Sequence, residues 1–192
     1  MSISMALPPA QAVAIGASAG AMEALSLILP ALPGNFRLPI FIVVHLPPGR
    51  KSVLAEIFQA RCHIKVREAE DKEPILPGTA YFAPPNYHLL VEQNRTLALS
   101  SDEPILYSRP AIDVLFESAA EAYGAGLIGI ILTGANQDGA HGLKTIEEAG
   151  GLPIVQHPAE ATAPDMPAAS LAACRHARAL KLSAIATFLK EL

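Results

Sequence analysis

Short apolar runs alternate with segments of helical periodicity along most of this 192-residue chain. Such runs are typical of strands in parallel sheets, because helices cover both faces of the sheet. The pattern predicts strands at 12–15, 39–44, 127–132, 153–156 and 177–180. It predicts helices at 21–32, 51–61, 110–123 (with Pro110 in the first turn), 140–149, 167–174 and 183–190 (with Ser183 as its cap). The alternation favours one α/β domain with a doubly wound, mainly parallel sheet flanked by helices.

The middle of the chain departs from this alternation. Four short runs, at 64–66, 80–83, 88–92 and 96–99, are separated by Pro, Gly and Asn. Asn94 stands between the last two runs, where a hairpin turn would place it. We therefore expect a small antiparallel hairpin insertion between residues 64 and 100. Residues 1–11 carry Pro8-Pro9 and no periodicity, so we expect a flexible N-terminal lead-in followed by one domain over 12–192.

Composition excludes several classes of function. The net charge of −4 and the pI of about 5.8 disfavour nucleic acid as a partner, because phosphate binding requires a basic surface. The longest apolar stretch, 38–46, is too short to span a bilayer, so we expect no membrane insertion. No secretory signal is evident, and Cys62 and Cys174 lack a CxxC spacing. These features favour a cytoplasmic protein with free thiols.

Three short motifs follow three of the predicted strands. The first contains Ser18 within Gly-Ala-Ser-Ala-Gly, which fits the G-x-S-x-G nucleophile elbow. The second places His45 at the end of a strand, and the third places Asp138 in a glycine-bracketed loop. Taken singly, Ser18 and Asp138 also fit helix caps and His45 a surface residue. Side chains past the carboxyl ends of parallel strands converge on one crevice, so their coincidence predicts a Ser-His-Asp triad.

Metal and cofactor sites are not expected from the sequence. No two histidines are spaced as H-x-x-x-H, and none joins a cysteine at ligand spacing. Gly16, Ser18 and Ala21 do not reproduce the dinucleotide fingerprint G-x-G-x-x-G. Arg109 precedes a predicted helix, where it can pair with a carboxylate or remain solvated.

Ordered matches along nearly the whole chain carry a family resemblance. They are Ile15-Gly16-Ala17-Ser18 with Gly20, His45-Leu46-Pro47, Glu68-Ala69-Glu70-Asp71, Leu76-Pro77-Gly78, Ala80-Tyr81, Ala83-Pro84, His88, Arg109-Pro110, Asp113-Val114-Leu115-Phe116 with Ser118, Ile131-Leu132-Thr133-Gly134, Asp138-Gly139-Ala140, Gly142-Leu143 and Met166-Pro167. With these residues the chain resembles the catalytic domain of the chemotaxis protein-glutamate methylesterases. The resemblance implies a doubly wound sheet with a small hairpin and a triad of Ser18, His45 and Asp138.

Two loops beside the expected site differ from the family pattern. The family typically has Thr-Gly-Gly after the serine, where this chain has Ala19, Gly20 and Ala21. It typically has Met-Gly before the aspartate, where this chain has Ala135 and Asn136. We expect Ala19, Gly20, Ala135 and Asn136 to form the oxyanion and substrate loops, so these departures bear on substrate fit.

The resemblance implies hydrolysis of glutamate γ-methyl esters with release of methanol, and deamidation of receptor glutamines as a second reaction. The implied partner is the cytoplasmic domain of a methylated chemoreceptor. No phospho-receiver domain is expected within this chain, so a separate regulatory domain or protein would control it. Two alternatives remain at this point: a general carboxylesterase for small esters, and a non-catalytic docking module in a signalling assembly.

Overall fold

A central parallel sheet organises the chain in the computed structural model, which describes residues 9–46 and 52–192. The strands are β1 (Ala12–Ala17), β2 (Ile40–Val44), β3 (Lys65–Glu68), β4 (Thr79–Phe82), β5 (His88–Val91), β6 (Leu97–Ser100), β7 (Leu127–Ile131), β8 (Leu152–Gln156) and β9 (Arg178–Leu180). The helices are α1 (Ala21–Ile28), α2 (Leu54–Gln59), α3 (Ile112–Tyr123), α4 (Ala140–Glu148), α5 (Asp165–Ala173) and α6 (Leu182–Lys190). Seven strands form the main sheet in the order β3-β4-β2-β1-β7-β8-β9, and all its pairs are parallel.

Helices cover both faces of this sheet. On one face, alternate side chains of β1 and β2 pack with α1, α2 and α6. On the other face, the remaining side chains of these strands pack with α3, α4, α5 and the β5–β6 hairpin. Because both faces are covered, β1, β2 and β7 are buried along their whole length, which explains their continuous apolar sequences. The predicted fold class is confirmed.

The insertion between residues 64 and 100 is smaller than predicted. Of the four strands in this segment, only β5 and β6 pair with each other in antiparallel orientation, whereas β3 and β4 belong to the main parallel sheet. The reason is that β4 lies between β2 and β3 and is buried on both faces, like the other central strands. The predicted turn at Asn94 is confirmed: its Oδ1 accepts a hydrogen bond from the Thr96 N–H at 3.1 Å.

Two predicted helix starts are wrong. Pro110 does not occupy the first turn of α3, because the helix begins at Ile112 with Ala111 as its N-cap. Ser183 does not cap α6, because the N-cap is Lys181 and Ser183 lies inside the helix. The predicted helix at 51–61 is shorter, at Leu54–Gln59, and Lys51 lies outside the described residues.

Most of the predicted lead-in also lies outside the described residues, so its flexibility stays a prediction. Its described end is attached to the sheet layer, since the Gln11 N–H donates to the Gly126 carbonyl at 2.8 Å. Within the described residues, no helix combines the length and apolarity that crossing a membrane requires.

Candidate active site

The carboxyl ends of three neighbouring strands bring the sequence motifs together. The chain winds away from β1 in one direction through β2 and in the other through β7, so a crevice opens beside β1. Ser18 follows β1 directly, and its N–H donates to the carbonyl of Thr133, just past the end of β7, at 2.9 Å. His45 follows β2, and its N–H donates to the Ala17 carbonyl at 3.1 Å. Ser18 and His45 therefore leave adjacent strands at the same level.

His45 and Asp138 form the central contact of the site. His45 Nε2 lies 2.8 Å from Asp138 Oδ2 across 93 positions of sequence. The His45 side chain is 12% exposed, whereas Asp138 is completely buried. A buried carboxylate that accepts a ring N–H fixes both the orientation and the tautomer of the imidazole, as the acid of a catalytic triad does.

The N-terminus of α3 stabilises the buried carboxylate of Asp138. The Ile112 N–H donates to Oδ2 at 2.7 Å and the Asp113 N–H donates to Oδ1 at 3.0 Å. Free N–H groups and the helix dipole favour an anion at this position. The alternative prediction, that Asp138 caps the helix starting near Ala140, is wrong: Asp138 caps α3, and Gly139 is the N-cap of α4.

A second carboxylate lies behind the first. Asp113 Oδ1 accepts the Gly142 N–H at 2.7 Å, which places Asp113 at the N-terminus of α4. Burial, with a further contribution from the charge of Asp138, raises the pKa of Asp113 to about 6. Asp113 therefore keeps a proton at mildly acidic pH. Its hydrogen bond with the Gly142 N–H connects α3 to α4.

Asn136 contacts the other ring nitrogen of His45. Its Oδ1 accepts the Asp138 N–H at 3.1 Å, which directs the amide nitrogen toward His45. Nδ2 then lies 3.4 Å from His45 Nδ1. An amide NH₂ can only donate, so Nδ1 is the unprotonated nitrogen and Nε2 carries the proton that Asp138 accepts. Nδ1 is thus the ring atom able to take up a proton.

The turn after Ser18 is shaped by close packing. Gly20 has a φ of 84° and is the N-cap of α1, so the alternative prediction that Ser18 caps this helix is wrong. A Cβ at Gly20 would lie 2.7 Å from the Thr162 side chain. Thr133 Oγ1 donates to the Ala19 carbonyl at 2.7 Å and holds the turn against the end of β7.

The hydroxyl of Ser18 is available for a new contact. Ser18 is half-buried, and its Oγ forms no hydrogen bond with any residue of 9–46 or 52–192. Within the same residues, the backbone N–H groups of Ala19 and Gly20 donate no hydrogen bond. A hydroxyl beside two unpaired N–H donors is the arrangement that acyl transfer requires.

The cysteines are poor candidates for a nucleophile. Burial raises the pKa of Cys62 to about 11 and that of Cys174 to about 12. Both therefore remain thiols near neutral pH, and the thiolate is the reactive form. Among the described residues, no group of three or more His, Cys, Asp or Glu side chains is arranged to hold a metal ion.

A cavity of about 290 Å³ opens beside His45. Asn86, Tyr107 and Arg109 contribute to its walls. Tyr107 is fully exposed and also borders a second, more open depression beside Asn136. Tyr107 therefore borders both openings beside His45 and Asn136.

The four predicted loop residues divide into two groups. Asn136 is half-buried beside His45 and Gly20 shapes the turn, whereas Ala19 and Ala135 are exposed. The sequence motifs did not single out Thr133, Asp113, Gln156 or His88 as supports of the site. Gln156 Oε1 accepts the Thr133 N–H at 2.8 Å, and His88 Nδ1 accepts the Ala111 N–H at 3.1 Å. Each is a buried polar residue in an apolar context, and such residues nearly always bind a specific partner.

The doubly wound sheet, with an imidazole–carboxylate pair and a serine at its carboxyl edge, is typical of hydrolases of the α/β class. A family model described as CheB methylesterase matches residues 13–189. The chain therefore belongs to the CheB methylesterase family, and thus to the hydrolases of chemotaxis.

Individual relatives agree with this membership. A Leptospira interrogans protein assigned as a protein-glutamate methylesterase/protein-glutamine glutaminase is 48% identical over 176 residues, covering 92% of this chain and 91% of the relative. A Trichodesmium erythraeum protein with the corresponding name is 42% identical over 158 residues, covering 81% of this chain and 45% of the relative. The crystal structure of the Thermotoga maritima CheB methylesterase catalytic domain matches with a TM-score of 0.88 and 33% identity, covering 96% of this chain and 99% of that chain.

Proposed function

We propose that this protein hydrolyses glutamate γ-methyl esters on the cytoplasmic domain of a methylated chemoreceptor and releases methanol. The observation that carries the proposal is the 2.8 Å contact between His45 Nε2 and buried Asp138, with Ser18 at the end of the adjacent strand. The names of the relatives supply the substrate class, since they specify protein-glutamate methylesterase and protein-glutamine glutaminase.

The reaction begins at Ser18. Its Oγ attacks the ester carbonyl carbon while His45 Nδ1 takes the hydroxyl proton, because Nε2 already donates its proton to Asp138. The backbone N–H groups of Ala19 and Gly20 stabilise the oxyanion. Each such donor contributes roughly 3–4 kcal/mol to transition-state stabilisation in comparable sites. The C–O bond to methoxide then breaks, and His45 delivers the proton that makes methanol.

Water completes the cycle. It attacks the acyl-serine carbonyl, loses a proton to His45 Nδ1, and releases the glutamate side chain as Ser18 recovers its proton. On a glutamine side chain the same steps release ammonia, which accounts for the second activity in the relatives' names. No step calls for a metal or a cofactor.

The surroundings of the site suit a protein substrate. The cavity beside His45 would accept the esterified side chain, and exposed Tyr107 would contact the receptor around it. We place this activity in the cytoplasm, where Cys62 and Cys174 remain the free thiols that the structure shows. Control by a separate regulatory domain or protein belongs to the same proposal.

The test is methanol release from a methylated receptor cytoplasmic fragment by wild type and by Ser18→Ala. We expect Ser18→Ala to lose several orders of magnitude in turnover, keeping only the roughly 10³-fold acceleration that binding and the oxyanion donors supply. Ser26→Ala, on α1 and outside the site, is the matched control and should retain wild-type release.

Three other outcomes would contradict the proposal. Unchanged release by a folded Ser18→Ala variant would exclude Ser18 as the nucleophile. Turnover of simple esters without turnover of the receptor would identify a general carboxylesterase. A folded wild-type protein without any ester turnover, but with receptor binding, would identify a docking module.

A further inference from the structure

Asn136 is fixed between the acid and the base of the proposed triad. The Asp138 N–H can only donate, so the atom of the Asn136 amide that faces it at 3.1 Å is the oxygen. The amide nitrogen is then directed toward His45 Nδ1, at 3.4 Å. The backbone N–H of Asp138 therefore sets the orientation of the Asn136 amide, which contacts the ring of His45.

This contact uses the ring atom that the reaction needs. His45 Nε2 donates to Asp138, so Nδ1 is the nitrogen left to accept a proton from Ser18. Ser18 Oγ, however, has no hydrogen bond within the described residues, whereas Nδ1 has Asn136. In the resting site the amide of Asn136 therefore contacts the ring nitrogen that must accept the serine proton.

We propose that Asn136 is a positioning residue that engages Nδ1 of His45 in the resting site and releases it when Ser18 transfers its proton. At 3.4 Å the contact lies at the long end of the hydrogen-bond range, so it orients the ring without holding it firmly.

Two substitutions separate this role from a structural one. Asn136→Asp keeps the oxygen that accepts the Asp138 N–H but presents an acceptor to Nδ1 instead of a donor. Asn136→Ala removes both contacts. If Asn136 only supports the turn before Asp138, the aspartate variant is benign and the alanine variant is harmful. The proposed role predicts the opposite order.

The first readout is the protonation of the two ring nitrogens of His45, followed by ¹⁵N NMR. In wild type we expect a protonated Nε2 and an unprotonated, hydrogen-bonded Nδ1. In Asn136→Ala the Nδ1 signal should move toward that of a ring nitrogen without a hydrogen bond. In Asn136→Asp we expect Nδ1 to gain a proton while Nε2 keeps its own, because a carboxylate then faces each ring nitrogen. Gln137→Ala, an exposed neighbour, is the matched control and should leave both signals unchanged.

The second readout is ester turnover, which rests on the proposed function. We expect Asn136→Ala to raise kcat/KM by about 2- to 10-fold, the range that one neutral hydrogen bond spans. Asn136→Asp should lower kcat/KM, because Nδ1 of His45 then already carries a proton and cannot accept the proton of Ser18. A fall in Asn136→Ala with unchanged ring signals would make Asn136 an oxyanion donor and overturn the inference.

The NMR measurement separates failure of this inference from failure of the proposed function. It is repeated in the Ser18→Ala background, where no turnover is needed. A wild-type protein that hydrolyses no ester but shows the expected ring signals would overturn the esterase proposal alone. Ring signals that do not respond to Asn136→Ala would overturn the role of Asn136 whether or not esters are hydrolysed.

Discussion

The N-termini of α3 and α4 are stabilised in the same way, but only one of the two stabilising carboxylates contacts the imidazole of His45. Neither helix is capped by the side chain of its own N-cap residue. Instead, each receives a carboxylate from the other segment: Asp138, just before α4, accepts N–H groups of α3, and Asp113, within α3, accepts an N–H group of α4. The two helix starts therefore fix each other's position.

The difference lies in a third contact. Asp138 also contacts His45. For Asp113, burial, with a smaller contribution from the charge of Asp138, raises the pKa to about 6. Satisfying free N–H groups is a structural task that both carboxylates perform. Only Asp138 also contacts the imidazole of His45, at the end of β2, so this helix cap is part of the candidate active site.

Asp138→Asn should have the largest effect. We expect ester turnover to fall by roughly 10⁴-fold, the loss seen when an equivalent triad acid is neutralised. Both carboxylate oxygens of Asp138 accept N–H groups, so an amide at this position leaves its NH₂ group facing a donor. The neutral amide also no longer stabilises the imidazolium that the proposed mechanism forms at His45. Turnover of a glutamate methyl ester, measured beside circular dichroism of the same sample, checks this.

Asp113→Asn is the matched control for Asp138→Asn. Its amide oxygen can still accept the Gly142 N–H, and it faces no imidazole. We expect turnover within a few-fold of wild type. Equal losses in the two variants would mean that both carboxylates act only through the helix starts, and the distinction between them would be lost.

Gly142→Ala should affect stability more than turnover. A Cβ at Gly142 would lie 2.6 Å from Phe116 Cβ and 3.1 Å from the Asp113 backbone, so α3 and α4 would have to move apart. The higher helix propensity of alanine offsets only about 1 kcal/mol. We expect a net loss of roughly 1–3 kcal/mol in the free energy of unfolding, typical of overpacking, measured by urea denaturation.

Lys144→Ala, on the exposed side of the same helix, is the control and should change stability by no more than about 0.5 kcal/mol. Turnover of folded Gly142→Ala should remain within about tenfold of wild type. A stable variant without turnover would show that the α4 start belongs to the active site after all.

The sequence predicted the parts of the site that follow strand ends. Ser18, His45 and Asp138 each come after an apolar run, and residues that directly follow parallel strands lie at the same edge of the sheet. The fold class followed from the same runs. These predictions depend on local patterns, which a single sequence displays directly.

The remaining contacts depend on distances between elements far apart in the chain. Taken singly, Asp138 also fitted a cap for the helix it precedes, because capping is ordinarily local, but its donors lie 26 and 25 residues earlier. Asn136 was assigned to a substrate loop, and only the structure shows its amide against His45. Likewise β3 and β4 have the length and composition of hairpin strands, and only their position beside β2 makes them parallel.

The last prediction concerns the pH dependence of stability. In the unfolded chain Asp113 ionises near its ordinary pKa of about 3.9. In the folded protein its pKa is raised to about 6, chiefly by burial. Between these values the folded state binds more protons than the unfolded state, so this group's contribution to stability falls as pH rises through the window. The contribution is complete below the unfolded pKa and is lost above the folded one.

Asp113→Asn removes this dependence because its amide does not titrate. The stability of the variant relative to wild type should therefore rise from pH 4 to about pH 6, by up to about 1.4 kcal/mol for each unit of pKa difference, and then level off. Urea denaturation of both proteins across this range measures the difference, in which the remaining titrating groups cancel. A difference that is constant with pH would mean that Asp113 ionises alike in both states, and its contrast with Asp138 would then rest on the imidazole contact alone.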